Sequence, residues 1–224
     1  MSIARRALVA SVITVLLAIA AWTAAAQWHP SRADYSVQGI DVSHHQGVID
    51  WPVVAGEGVD FAYIKASEGG DNQDELFAEN LRAANAAGID TGAYHFFTLC
   101  RSGADQAANF IAAVPASDDL MPTAVDLEFG GNCSARPSRV ALLRELKEFL
   151  RRIEAHSGRP AVLYMTREFE EAYRVSEAID RPLWLRSLLI EPDYGARPWR
   201  IWQASNLRRI RGIEGRVDWN AIRQ

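Results

Sequence analysis

The chain has 224 residues, 49% of them hydrophobic and 23% charged, proportions that suit one globular domain with a sizeable core. Its net charge of −4 at pH 7 gives no electrostatic basis for gripping nucleic acid or an anionic lipid surface.

The first 26 residues stand apart. Arg5 and Arg6 precede an uncharged apolar run from Ala7 to Ala26, and Ala24-Ala25-Ala26 offers small residues for cleavage before Gln27. That layout is an export signal. A run of about 20 apolar residues is also long enough to span a bilayer. Residues 1–26 are therefore expected to be a signal peptide or an N-terminal membrane anchor. Either way the domain is expected outside the cytoplasm, periplasmic or extracellular, touching a membrane only if the segment stays uncleaved. Residues 27–37, polar and carrying Pro30, read as a linker, and the folded domain is expected over 38–224.

Gln38 to Ser43 reads as a strand, followed by the loop His44-His45-Gln46-Gly47. Asp50 can cap a short helix from Trp51, with Pro52 tolerated in the first turn. Phe61 to Ser67 is a second strand, and Phe77, Leu81 and Ala84 then lie at helical spacing up to a capping Gly88. The unit repeats in kind: strand 91–97 with helix 104–113, then strand 123–128 with the longest helix. That helix opens at Pro137-Ser138, buries Leu142, Leu146, Phe149, Leu150 and Ile153, and stops at Ser157-Gly158-Arg159-Pro160. Strand 161–165 and a helix over 166–178 follow. The segments 183–189, 200–205 and 216–220 then read as short strands with too little chain between them for full helices. Five βα units and three further strands predict an α/β, parallel-type closed barrel of roughly (β/α)5(β)3 in a single domain.

In such barrels reactive groups sit on C-terminal strand ends and on the loops that follow. Asp41, Lys65 to Glu68, His95, Asp126, Glu128, Tyr164, Gln203 and Asp218 all fall there. The most informative stretch is Ala124-Val125-Asp126-Leu127-Glu128. Side chains at i and i+2 share a face of a strand, so Asp126 and Glu128 project together. Two adjacent acids cannot both ionise freely, and a poised acid beside a carboxylate is the equipment of glycoside hydrolysis. A strand end with two solvated acids is the plainer reading of the pentapeptide alone. The two cysteines, Cys100 and Cys133, follow strands three and four. An even pair in an exported chain, placed on adjacent loops of one rim, is expected to form a disulfide.

Six stretches in order make the chain resemble glycoside hydrolase family 25, the N-acetylmuramidases of the Chalaropsis-type lysozyme group. They are Gly39 to Ser43 with Gln46-Gly47, Tyr63 to Gly69, Gly92 to Phe96, Val125 to Glu128, Trp202-Gln203, and Gly215 to Asn220. The resemblance implies a flattened TIM-like barrel with fewer than eight helices. It also implies hydrolysis of the β-1,4 bond between N-acetylmuramic acid and N-acetylglucosamine in peptidoglycan. The family's site acids correspond to Asp41, Asp126, Glu128 and Asp218, and its groove aromatics to Tyr94, Tyr164 and Trp202. Trp184 and Gln203 are expected to bind substrate beside them. Two departures, Ala204 where an aromatic residue is frequent and Arg186 where a small one is, bear on the groove's rim.

Glu128 is the expected acid/base, kept protonated at rest by the charge of Asp126. Asp126 either attacks C1 or orients the muramic 2-acetamido group for attack by its own carbonyl oxygen; the short i, i+2 spacing favours the second and retention at the anomeric centre. Asp41 and Asp218, on first and last strands, are expected to support the site. His44 and His45 point different ways on an extended loop, so no metal and no cofactor is expected, and His95 reads as a hydrogen-bonded structural residue. Lys65 could pair with a site acid. The expected partner is the peptidoglycan glycan strand, with no nucleic acid, and a monomer is expected. A chitinase-like or endo-N-acetylglucosaminidase hydrolase, a metal-dependent hydrolase using His44, His45 and His95, and a non-catalytic wall-binding domain are the competing readings.

Overall fold

The computed structural model describes residues 3–224, without the side chains of 3, 4 and 6–9. Met1, Ser2 and the Arg6 side chain of the expected export segment thus lie outside the described residues. Helix α1 (Ile3–Gln27) carries the apolar run; its stretch Ala10–Gln27 has mean hydropathy 1.7 and is long and apolar enough to cross a membrane. Val12, Leu16, Leu17 and Ile19 are exposed. The foot of α1 touches the rest of the chain. Ala26 is buried, its carbonyl accepts from the Arg209 amide at 3.1 Å, and Arg216 lies 5.0 Å over the Trp22 ring. Residues 28–37 are strapped to the barrel wall: Trp28 meets Trp202 at 6.2 Å and Tyr35 meets Trp199 at 5.9 Å.

The domain proper is a closed barrel. In chain order its elements are β1 (Gln38–Val42), α2 (Trp51–Ala55), β2 (Phe61–Glu68), β3 (Asn72–Gln73), α3 (Phe77–Ala86), β4 (Asp90–Phe96), α4 (Gly103–Ala113), β5 (Ala124–Leu127) and α5 (Arg139–Ser157). They continue with β6 (Val162–Met165), α6 (Arg167–Tyr173), α7 (Val175–Ala178), β7 (Leu183–Arg186), β8 (Ile201–Arg208) and β9 (Val217–Ile222). Around the barrel the strands run β1-β9-β8-β7-β6-β5-β4-β2, and β1 closes on β2; β3 is a short antiparallel flap on the end of β2.

The expected parallel barrel holds from β1 to β8 and fails at β9, which is antiparallel to both β8 and β1. Only residues 209–216 separate β8 from β9, and a parallel crossover needs about a dozen residues or more. The helix expected over 166–178 is also broken, because Arg174 takes a left-handed conformation (φ 45°) between α6 and α7.

Period-two alternation sorts each strand into two layers. Outward residues such as Ile64, Val125, Leu127, Leu163, Met165 and Leu185 form the main core with the helices. Inward residues Phe61, Tyr63, Ala124, Val162, Tyr164, Trp184 and Ile201 fill the barrel's interior. The longest helix, α5, is capped by Ser138, whose side chain accepts from the Ala141 amide, and ends at Gly158 in the left-handed region. It buries Leu142, Leu146, Phe149, Leu150 and Ile153 as its spacing predicts. Gly103 lets α4 approach it: a Cβ there would stand 1.9 Å from the Glu145 carbonyl oxygen.

Candidate active site

Each site residue reaches the mouth because of its place in the alternation. On β5, Val125 and Leu127 are fully buried toward the helices, so Ala124 and Asp126 turn inward. Glu128, the residue after the strand, returns to that same side with its side chain 22% exposed. Asp41 on β1 and Asp218 on β9 are direct cross-strand partners. Because β9 runs backwards, its early residue Asp218 arrives at the same end of the barrel as the late residues of the other strands.

Asp41, Asp126 and Asp218 line a cavity of about 170 Å³ with Tyr94, Tyr164, Trp184, Arg186, Gln203, Asn206 and Ala124. That is less than the roughly 300–1,000 Å³ of a typical small-molecule pocket, and it suits the deepest point of a groove for a polymer. Glu128 stands beside this lining, with its Oε2 3.7 Å from Arg186 Nη1.

The acids are held unequally. Asn220 Nδ2 donates to Asp41 Oδ2 at 2.7 Å and Gln203 Nε2 at 3.2 Å. Gln203 in turn accepts from the Tyr164 hydroxyl at 2.9 Å, and Asn220 accepts from the Trp184 indole at 2.8 Å. Asp126 has no such cradle: its Oδ1 is buried without a hydrogen-bond partner.

Burial raises all four carboxyls. Asp41 is pushed up to about 6 by desolvation, with the amides of Asn220 and Gln203 opposing. Glu128 is also raised to about 6 by desolvation, with Arg186 pulling it down and Asp41 pushing it up. Asp126 is raised well above the usual carboxylate range by desolvation first and then by the charges of Glu128 and Asp41. Asp218 is raised by desolvation and by Asp41 and Glu128. Two acids in contact with each other hold one proton more firmly than either would alone. Asp126 and Glu128 are both raised, so the pair is set up to share a proton, and the burial of the unpartnered Asp126 Oδ1 favours the neutral form of that residue.

The sequence profile of the glycosyl hydrolases family 25 matches residues 40–213. The chain belongs to that family. Lysozyme M1 of Streptomyces globisporus is 33% identical over 197 residues, covering 82% of this chain and 67% of that one. Among solved structures, a family 25 glycosyl hydrolase from Bacillus anthracis superposes with a TM-score of 0.79 at 33% identity, covering 88% and 93% of the two chains. A bacterial lysozyme from Streptomyces coelicolor does so with a TM-score of 0.76 at 32% identity, covering 84% and 92%. The protein is a glycoside hydrolase with this family's eight-stranded barrel.

Several expected family 25 positions land elsewhere. Trp202 is not in the groove. With Gln203 turned inward, its neighbour must face outward, and Trp202 packs in the outer layer against Trp28, Tyr35 and Trp199 with its indole donating to the Ser187 carbonyl at 2.5 Å. Ala204 is fully buried in that outer layer too, so this departure does not touch the rim; Arg186 does. All five tryptophans of the domain are at most 4% exposed, namely Trp51, Trp184, Trp199, Trp202 and Trp219, and of these only Trp184 lines the pocket. Lys65 pairs with Glu68 at 2.6 Å rather than with a site acid. His44 Nδ1 bonds Asp74 at 2.8 Å, and no group able to hold a metal occurs among the described residues. His95 is fully buried on the outer side, between Ser67 Oγ at 2.8 Å and Gln106 Oε1 at 3.1 Å. Cys100 and Cys133 form a disulfide that ties the loop after β4 to the loop after β5. Asn220 and Asn206 join the site without a sequence-based expectation; the i, i+2 offset of Asn220 from Asp218 is the signal the chain carries for the first of them.

Proposed function

We propose that this domain is an N-acetylmuramidase that cleaves the β-1,4 bond between N-acetylmuramic acid and N-acetylglucosamine in peptidoglycan, with retention and with help from the substrate's own acetamido group. The observation that carries this reading is the pair Asp126 and Glu128 on one side of β5, with Asp126 Oδ1 buried and lacking a donor. An acetamido N–H supplies that donor. Accepting it stabilises ionised Asp126 and releases the shared proton to Glu128. Glu128 then protonates the glycosidic oxygen as the C1–O bond breaks, while the acetamido carbonyl oxygen, oriented through its N–H, bonds to C1. In the second half-reaction the Glu128 carboxylate takes a proton from water as its oxygen attacks C1 and the acetamido group is restored. Asp41, fixed by Asn220 and Gln203, and Asp218 add negative potential around the developing positive charge. The lysozymes among the relatives support the choice of substrate.

The test is digestion of purified peptidoglycan by the solubilised full chain, followed by borohydride reduction and mass spectrometry. New reducible muramic ends, β-anomers as first product by NMR, and loss of release in Glu128→Gln are the expected results. Reducible glucosamine ends would make it a glucosaminidase, and an α-anomer first would exclude retention. The apolar α1 and the small residues at 24–26 support action outside the cytoplasm on wall glycan; intact mass and fractionation of the chain from cells distinguish a cleaved signal from an anchor.

A further inference from the structure

Arg186 is a guanidinium at the mouth of a pocket lined by acids, standing on the end of β7 with Nη1 3.7 Å from Glu128 Oε2. A tight charge-assisted bond would measure about 2.7–2.9 Å. With side chains 35% and 22% exposed, this contact is loose enough to open when the groove fills. The other groups acting on or beside Glu128 are Asp126 on β5, Asp41 on β1, Asp218 on β9, Lys65 on β2, Glu168 on α6 and Tyr164 on β6. The carboxylates among them favour a proton on Glu128. Of the two cations, Lys65 is committed to Glu68 at 2.6 Å and lies 5.1 Å over the Phe96 ring. Arg186 faces Glu128 directly.

We propose that Arg186 is a positioning residue for the reaction: its guanidinium keeps Glu128 a carboxylate in the empty groove and withdraws when a glycan enters, so that Glu128 becomes the acid only in the occupied site. The step balances within the pair. Asp126 gives up its proton as the acetamido N–H reaches Oδ1, and Glu128 takes one as Arg186 leaves, so one proton moves and no net charge changes. The proposal rests on the roles given above to Asp126 and Glu128. It makes the shape of the pH profile a property of Arg186: a general acid fails as pH rises through its own titration, and a nearby cation brings that limb to lower pH.

The experiment compares wild type, Arg186→Met and Arg186→Lys by carbon NMR titration of the Glu128 carboxyl in the empty enzyme, assigned with Glu128→Gln. The same three proteins are followed by kcat/KM against pH on soluble peptidoglycan strands. In Arg186→Met the Glu128 midpoint and the basic limb should both rise by roughly half to one pH unit, while Arg186→Lys stays near wild type. An unmoved Glu128 midpoint in Arg186→Met, or a uniform fall in rate with both limbs in place, overturns the proposal. Failure of wild type to release muramic ends would instead sink the functional reading, while the NMR titration still decides whether Arg186 holds Glu128. Thermal melting confirms that each variant is folded.

Discussion

Two ionisable residues, one on each side of the barrel wall, show how differently the fold treats its polar groups: His95 is fully buried, and Asp126 is half-buried with its Oδ1 sealed from water. His95 faces the helices on β4. Both its ring nitrogens have partners, its ring stacks 4.7 Å from Phe149, and burial lowers its pKa to about 3. Asp126 faces the interior on β5, with an oxygen that no described residue satisfies and a pKa pushed upward. A buried polar group costs little when its bonds are complete and roughly 1–3 kcal/mol when one is missing. On β4 the fold completes the hydrogen bonds of His95. On β5 it leaves Asp126 Oδ1 open on the pocket side, where a ligand's donor can reach it.

The sharpest test of this contrast is substitution on each side. Glu128→Gln and Asp126→Asn should each lower kcat by on the order of 10²–10⁴-fold, measured as fragment release, while leaving the melting temperature equal or higher. Phe149→Ala, on the satisfied side, should cost about 3–5 kcal/mol of stability by urea titration, with the remaining folded enzyme cutting at an unchanged pH optimum.

Opening Cys100–Cys133 by Cys133→Ser comes next, at roughly 4 kcal/mol for a loop of 33 residues. It should raise KM more than it lowers stability-corrected kcat, because the bridge fixes the loop that follows Glu128.

The smallest effect is the response to pH, and here the two sides have opposite signs. Asp41 has a folded pKa of about 6 against 3.8 unfolded, so the native state binds more protons between those values. Its contribution is present at low pH and lost as pH rises through about 6, on the order of 3 kcal/mol. His95, lowered from 6.5 to about 3, is neutral when folded; stability is full above pH 6.5 and falls as acid is added. Denaturation from pH 4 to 7 should show stability rising more steeply with pH in Asp41→Asn than in wild type between about 4 and 6. An unchanged slope in that variant would mean that burial of Asp41 does not tax the fold.

Much of this was readable beforehand. Alternation on Ala124 to Glu128 placed both acids on one side, and the helical spacing of α5 named its buried stripe. What escaped was decided by direction and by neighbours. β9 reverses because residues 209–216 are too few for a crossover, a length legible in the sequence. Trp202 and Gln203 are both expected in the groove, yet adjacent residues on a strand face opposite ways, so only Gln203 reaches it. The contact between Arg186 and Glu128 joins strands β7 and β5 across the mouth, and no local pattern records such a meeting. The upward shifts of Asp126 and Glu128 likewise depend on how far the assembled walls seal each acid from water.

The antiparallel return of β9 has a consequence for how the enzyme comes into being. Asp41 and Asp218 face each other across the seam where the first and last barrel strands meet. Asn220, which fixes Asp41, arrives with that final strand as well. A chain made from its N-terminus can build βα units as it goes, but its seam closes last, through contacts between residues far apart in sequence, which are the slowest to form. Until β9 docks, Asp126 and Glu128 sit in an open sheet exposed to water, without the burial that raises their pKa values. Chains that lack β9 are therefore expected to be inert, since the seam that carries Asp218 and Asn220 has not closed.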